Sequence, residues 1–253
     1  METLPLALDI LVLLFITAVT AGFIDTLAGG GGLIALPALI LAGIPPLQAL
    51  GTNKLQGCIG TATSTYLMIK KGRVTIAEIK PLLITAFIGS SLGCIGVQFI
   101  NSDALAVVIP IVLIIIATYF LIAPTPSTDS NKKRVTENQY KNGVIPVIGF
   151  YDGFFGPGTG SFFALSSVVL NGKNLISATA LAKPLNCVTN IAALIIFISL
   201  GQVAWLAGIT MLIGQIIGAS IGSHTLLKIN PLYIRILIVI MCVTMLVKYC
   251  FYS

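Results

Sequence analysis

Apolar residues run through this chain in long blocks, broken by glycine clusters and short polar turns, and the block lengths set the elements. In the first half the pattern predicts helical segments over about 4–28, 33–43, 46–70, 75–100 and 103–122. In the second half it predicts them over about 143–155, 160–170, 175–199, 203–227 and 231–251. No Asp, Glu, Lys or Arg occurs between Pro81 and Ser102, or between Pro184 and Leu227. Runs of that kind accommodate helices of roughly 20 residues, enough to cross a bilayer core. Segments 33–43 and 160–170 are shorter. At 1.5 Å rise per residue each covers about half of a ~30 Å core. They are expected as half-helices, entered through the glycine runs that precede them.

The same pattern occurs twice. Gly22-Phe23-Ile24-Asp25 returns as Gly149-Phe150-Tyr151-Asp152, and Gly29 and Gly31 return as Gly156 and Gly158, at an offset of 127. A two-residue insertion near Leu170–Lys173 moves the offset to 129. Lys54 then answers to Lys183, Cys58 to Cys187, and Gly89-Ser90-Ser91-Leu92-Gly93 to Gly218-Ala219-Ser220-Ile221-Gly222. Roughly 22–120 repeats as 149–249. The chain therefore divides into a first membrane repeat (1–122), a polar linker (123–142) and a second membrane repeat (143–253). The expected fold class is an all-α polytopic membrane protein of two pseudo-symmetric repeats, each with about five helical segments including a short broken or re-entrant half-helix.

Composition sharpens this picture. With 57% hydrophobic and 9% charged residues and a mean hydropathy of +1.03, the chain cannot cover a soluble domain's surface, which takes about 25% charged residues. Lipid must face much of it. The first apolar block lacks the basic flank of a secretory signal, since no Lys or Arg precedes Lys54, and it is expected to stay as the first membrane helix.

The net charge of +6 is scattered over connections at the membrane edge, which suits orientation signalling and not nucleic-acid binding. In the first repeat, Lys70, Lys71, Arg73 and Lys80 flank the connection between the third and fourth segments. Its counterpart around Leu200–Trp205 carries no charge. In the second repeat, Lys228 and Arg235 flank the next connection, while Gln98–Ala106 holds only Asp103. The basic side has changed between copies, so the positive-inside rule predicts inverted repeats, a basic cytoplasmic linker and both termini outside. A parallel four-plus-four arrangement is the competing expectation.

Four ionisable residues fall inside the apolar pattern: Asp25, Asp152, Lys54 and Lys183. Each has its counterpart in the other copy. A charge at the bilayer centre costs about 2.5–3.5 kcal/mol on insertion scales, so a duplicated set calls for a role. Two structural Asp–Lys pairs that hold the broken helices would satisfy it. So would substrate-binding lysines with aspartates as ion-pair partners or proton carriers. Gly30, Gly31 and Gly32 lead into one half-helix; Gly158, Thr159 and Gly160 lead into the other. Such starts offer unpaired N–H donors and the positive end of a helix dipole, which suits a small anion. Close helix packing is the alternative use of glycine in membranes. Asn53 precedes Lys54, and Asn186 and Asn190 share one helix face with Lys183; a polar face in an apolar helix points to a cavity or another helix.

These motifs resemble those of the sulfite and organosulfonate exporters of the TauE/SafE type, the toluene sulfonate uptake permease family. The resemblance lies in Gly22…Asp25…Gly29-Gly30-Gly31-Gly32 followed by Gly51-Thr52-Asn53-Lys54, and in Gly156-Pro157-Gly158-Thr159-Gly160 followed by Lys183-Pro184-Leu185-Asn186. It implies a permease of the cell inner membrane for sulfur-containing organic or inorganic anions, which would put the termini on the periplasmic side. Ala180-Leu181-Ala182 stands where the first repeat has Gly51-Thr52-Asn53, so the two half-sites are expected to differ chemically.

The resulting expectation is a secondary transporter of small anions working by alternating access, with an anion channel as the alternative. Its partners would be a small anionic substrate and membrane lipid, with room for a homodimer. An intramembrane enzyme is disfavoured: there is no HExxH, no GxSxG and a single histidine, His224. No nucleotide-binding motif, cofactor signature or metal-ligand spacing appears. The five cysteines lie in apolar segments without CxxC spacing and are read as packing residues.

Overall fold

A computed structural model describes residues 7–122 and 133–225, without side chains at 28, 117, 120–122 and 223–225. The expected last segment (231–251), the first part of the linker, both chain ends and the His224 side chain lie outside the described residues. Among the described residues all regular structure is helical: α1 (Leu8–Ala28), α2 (Gly32–Leu41), α3 (Pro46–Lys70), α4 (Ile76–Val97), α5 (Ser102–Ile122), α6 (Glu137–Gln139), a π-helical turn (Tyr140–Val144), α7 (Ile145–Phe154), α8 (Thr159–Val169), α9 (Leu175–Ser199) and α10 (Trp205–Thr225). Four of these are long and apolar enough to cross a membrane, within α1, α4, α9 and α10.

The helix leading into the second repeat starts at Glu137, six residues before the expected boundary and inside the expected linker. Thr136 and Gln139 form a reciprocal capping box that supplies partners to the first N–H groups. The following π turn precedes Pro146, which has no N–H with which to continue the i→i−4 ladder. The Tyr140 hydroxyl fixes this turn to the end of α8 through Ser166 (3.1 Å) and Ser167 (2.7 Å).

Helix directions follow from pairs of contacts. Ala204 N–H donates to the Thr52 hydroxyl (3.0 Å), and farther along Gly60 abuts Gln215, so α3 and α10 run parallel. Gly214 abuts Phe15 and Gly222 abuts Phe23, so α1 runs parallel to α10. Ser90 donates to the Thr189 carbonyl (2.7 Å) and Cys94 to that of Ala193 (3.6 Å), so α4 and α9 run parallel. Gly89 against Pro146 and Gly93 against Phe150 give α7 the same sense. Between the two sets the direction reverses: Gly51 abuts Phe197 while Gly57 abuts Asn190, so α3 and α9 are antiparallel.

The packing contacts correspond at the sequence offsets. A methyl group on Gly22 would stand 2.5 Å from the Gln215 carbonyl oxygen, and one on Gly149 2.6 Å from that of Ala86. Backbones this close exclude any side chain, the usual role of small residues where lipid-embedded helices meet. The exterior is aliphatic, with Ile16, Ile84, Ile88, Leu92, Ile195 and Ile213 all at least half exposed. The interior holds Lys54, Asp152, Lys183, Gln56 and Gln215, each at most 2% exposed. Apolar residues outside and ionisable residues inside invert the pattern of a water-soluble domain. Lipid as the surrounding solvent accounts for both.

Candidate functional site

Each glycine run ends one helix and begins the next. Gly29 caps α1 in the left-handed region (φ 73°) and returns its N–H to the Asp25 carbonyl at 2.8 Å. Gly31 N–H donates to Asp25 Oδ1 at 3.3 Å, tying the break to the carboxylate. In the second half Gly156 adopts φ 99°, and a Cβ there would lie 2.7 Å from Lys54 Nζ. Left-handed backbone and a lysine at contact distance both restrict this position to glycine. The Thr159 hydroxyl donates to the Gly156 carbonyl (2.7 Å) and closes the loop.

The two breaks meet. A Cβ on Gly29 would lie 2.7 Å from Gly160 Cα, and one on Gly32 would lie 3.3 Å from Pro157 Cα. The starts of α2 and α8 therefore come together between the two halves of the chain.

Each lysine reaches across to the opposite half. Lys54 on α3 forms an ion pair with Asp152 on α7 at 2.9 Å, both side chains 1% exposed. Lys183 on α9 donates to the Asp25 backbone carbonyl at 2.5 Å, at the C-terminal end of α1. A cation at a helix C-terminus offsets the negative end of the dipole. The crossed pairs thus tie each broken helix to the long helix of the other half. They are not equivalent: Asp152 takes its lysine on the carboxylate, whereas at Asp25 the lysine goes to the main chain.

Between the breaks lies a cavity of about 20 Å³, room for roughly one water-sized guest. Of the sequence-predicted residues, Asp25, Asn53, Asn186, Asn190, Gly32 and Gly158 line it. Lys54, Lys183, Asp152, Gly30, Gly31, Thr159 and Gly160 are not among the lining. Gln56 and Gln215 also face the cavity, as do Gly57 and Thr61. No pattern in the sequence marks Gln215, because it is the lone amide of α10 and has no polar counterpart: the first repeat carries Ala86 there. A solitary amide on a membrane helix was the available signal.

Among the described residues no group of His, Cys, Asp and Glu has the makings of a metal site. Cys58 and Cys94 are buried free thiols, as expected of packing residues, and Cys187 is free and half-buried.

Helices with an aliphatic exterior around a buried polar junction define a multi-pass α-helical membrane protein of the permease class. The chain belongs to the family described as Sulfite exporter TauE/SafE, which matches residues 14–249. It is similar to the probable membrane transporter protein ORF9 of a Sinorhizobium species, 41% identical over 243 residues covering 96% of this chain and 93% of the relative. It is similar also to the probable membrane transporter protein YfcA of Escherichia coli K12, 43% identical over 244 residues covering 96% and 90%. A probable membrane transporter protein of Haemophilus influenzae is 39% identical over 245 residues covering 97% and 96%. No solved structure gives a significant match.

Proposed function

We propose that the chain is a secondary transporter of small anions, sulfur-containing ones such as sulfite and organosulfonates foremost, and that it works by alternating access. The observation that carries this reading is the meeting of two half-helix starts, at Gly32 and Gly158, on a cavity also lined by the amides of Asn53, Asn186 and Asn190. Helix starts present N–H groups and positive dipole ends, and side-chain amides add donors without adding charge. The family description and the names of the relatives point the same way.

The halves are inverted repeats in this proposal, supported by the antiparallel α3 and α9 and by the corresponding glycine contacts at both offsets. The basic linker then lies in the cytoplasm and both termini outside. Movement of one half against the other opens the junction alternately to the two sides. The crossed Lys54–Asp152 and Lys183–Asp25 contacts break or slide in each passage, which brings the lysines within reach of the anion. A cavity that admits about one water in this conformation favours a carrier over an open pore.

The test is reconstitution into liposomes with a panel of sulfite, organosulfonates and carboxylates. Saturable uptake accelerated by the same anion on the opposite side is expected. Unitary currents in planar bilayers would replace the carrier with a channel. If Lys54→Ala and Lys183→Ala both transport at the wild-type rate, the binding site lies elsewhere.

A further inference from the structure

The cavity is lined by side-chain oxygens that an anion cannot use, and two of them lack a partner. Gln56 donates its Nε2 to Asn53 Oδ1 at 2.9 Å, which leaves Gln56 Oε1 without a partner. Gln215 Oε1 is also unpartnered, and both side chains are 1% exposed. Burying an amide oxygen without a hydrogen bond is costly, and few such atoms persist without a reason. The two side chains are neighbours: a Cβ on Gly60, one turn from Gln56 on α3, would abut the Gln215 amide nitrogen first and lie 2.7 Å from its Cγ. Asp25 completes the group, since Gly22, one turn before it, packs on the Gln215 backbone. Thr61 donates its own proton to the Gly57 carbonyl (2.7 Å), so its oxygen can only accept within the cavity.

The counterparts of Gln56 and Gln215 are Leu185 and Ala86, and Asp152, which does not line the cavity, carries Lys54 on Oδ1. The acceptor cluster therefore gathers at Asp25, from α1 and α3 of the first repeat and α10 of the second, where Lys183 bonds to the backbone carbonyl and not to the carboxylate.

We propose that a sodium ion binds in the cavity between the Asp25 carboxylate and the side-chain oxygens of Gln56 and Gln215, and that it is carried together with the anion. Hard cations take oxygen ligands, and in secondary transporters they are held near interrupted helices at mid-membrane. Space for one water-sized guest suits a bare sodium ion. The charge balance agrees: two lysines and two aspartates sum to zero, so an anion entering alone leaves one uncompensated charge in low dielectric, and a monovalent cation entering with it removes that penalty. The coupling rests on the anion-transport reading; the sodium site itself does not.

Radiolabelled sodium binding to the purified full-length protein in detergent, with choline as the replacement ion, measures the site directly. Saturable binding of about one sodium per chain is expected. Gln56→Leu and Gln215→Ala, which install the residues of the other half, should each weaken it at least tenfold. Gln56→Asn, which keeps an amide oxygen one bond shorter, should lose less than Gln56→Leu. Thermal unfolding in choline identifies variants that have lost their fold, and the Asn variant then decides. Absence of saturable sodium binding to wild type, or wild-type affinity in folded Gln56→Leu and Gln215→Ala, overturns the site. Anion uptake in liposomes, with and without an inward sodium gradient, separates the two proposals. Saturable but sodium-independent anion uptake overturns the coupling and leaves the anion reading standing. Sodium binding without uptake of any anion upholds the site and removes the anion reading.

Discussion

Replacing Lys54 by alanine should strand the Asp152 carboxylate in the interior. Both side chains of the pair are 1% exposed, and Asp152 Oδ2 has no hydrogen-bond partner, so nothing else in the described structure compensates for the lost ammonium. Removing one partner of a buried pair costs about 3–5 kcal/mol. A tenfold change in equilibrium corresponds to about 1.4 kcal/mol, so the folded-to-unfolded ratio should fall by two to four orders of magnitude. Asp152→Ala should cost a similar amount by leaving Lys54 unpaired. The double variant removes both charges and keeps mainly the packing loss, so it should be more stable than the sum of the singles predicts, by about 2–3 kcal/mol. Reversible unfolding in mixed detergent micelles, followed by the single Trp205, provides the measurement for all four proteins. Strict additivity of the two single variants would refute the pairing. Transport by the double variant then assigns its role: recovered stability with lost transport places the pair in the transport cycle, whereas recovery of both makes it a scaffold.

Three further outcomes are expected. Gly153→Ala places a methyl group against the Ser90 carbonyl and should force α4 and α7 apart at a cost of about 1–3 kcal/mol; Gly143→Ala, with open space around it, should be neutral or stabilising in the same unfolding assay. Gly156→Ala should reduce anion uptake at least tenfold with normal expression, because φ 99° and the adjacent Lys54 Nζ both oppose a side chain; uptake near wild type would mean that the break is not part of the transport path. In a cysteine-free background, cysteines replacing Gly57 and Asn190, where a Cβ on Gly57 would rest 3.6 Å from the Asn190 side chain, should cross-link readily, whereas cysteines replacing Gly57 and Phe197 should not; the reverse result on denaturing gels would exclude antiparallel α3 and α9.

Much of this was legible in the chain itself. Segment lengths follow from apolar runs, because a bilayer demands a fixed length of apolar helix, and helices α2, α3, α4, α5, α8 and α9 begin and end within three residues of the expected bounds. Glycine runs marked both breaks, because only glycine tolerates the backbone that Gly29 and Gly156 adopt. The duplication identified Asp25, Asp152, Lys54 and Lys183 as a set.

Tertiary structure alone decided how that set is wired. Nothing local distinguishes a lysine bonded to its own half's aspartate from one bonded across, since the partners are 98 and 158 residues apart and meet only when the halves pack. The same holds for Asp25, whose lysine donates to the backbone carbonyl and makes no ion pair with the carboxylate. Gln56 and Gln215 were invisible as a pair for that reason: each is an ordinary amide in sequence, and becomes an unpartnered oxygen beside a carboxylate only once α1, α3 and α10 lie parallel. Hydropathy records what a residue prefers as solvent; which buried group it faces is a property of the packed chain.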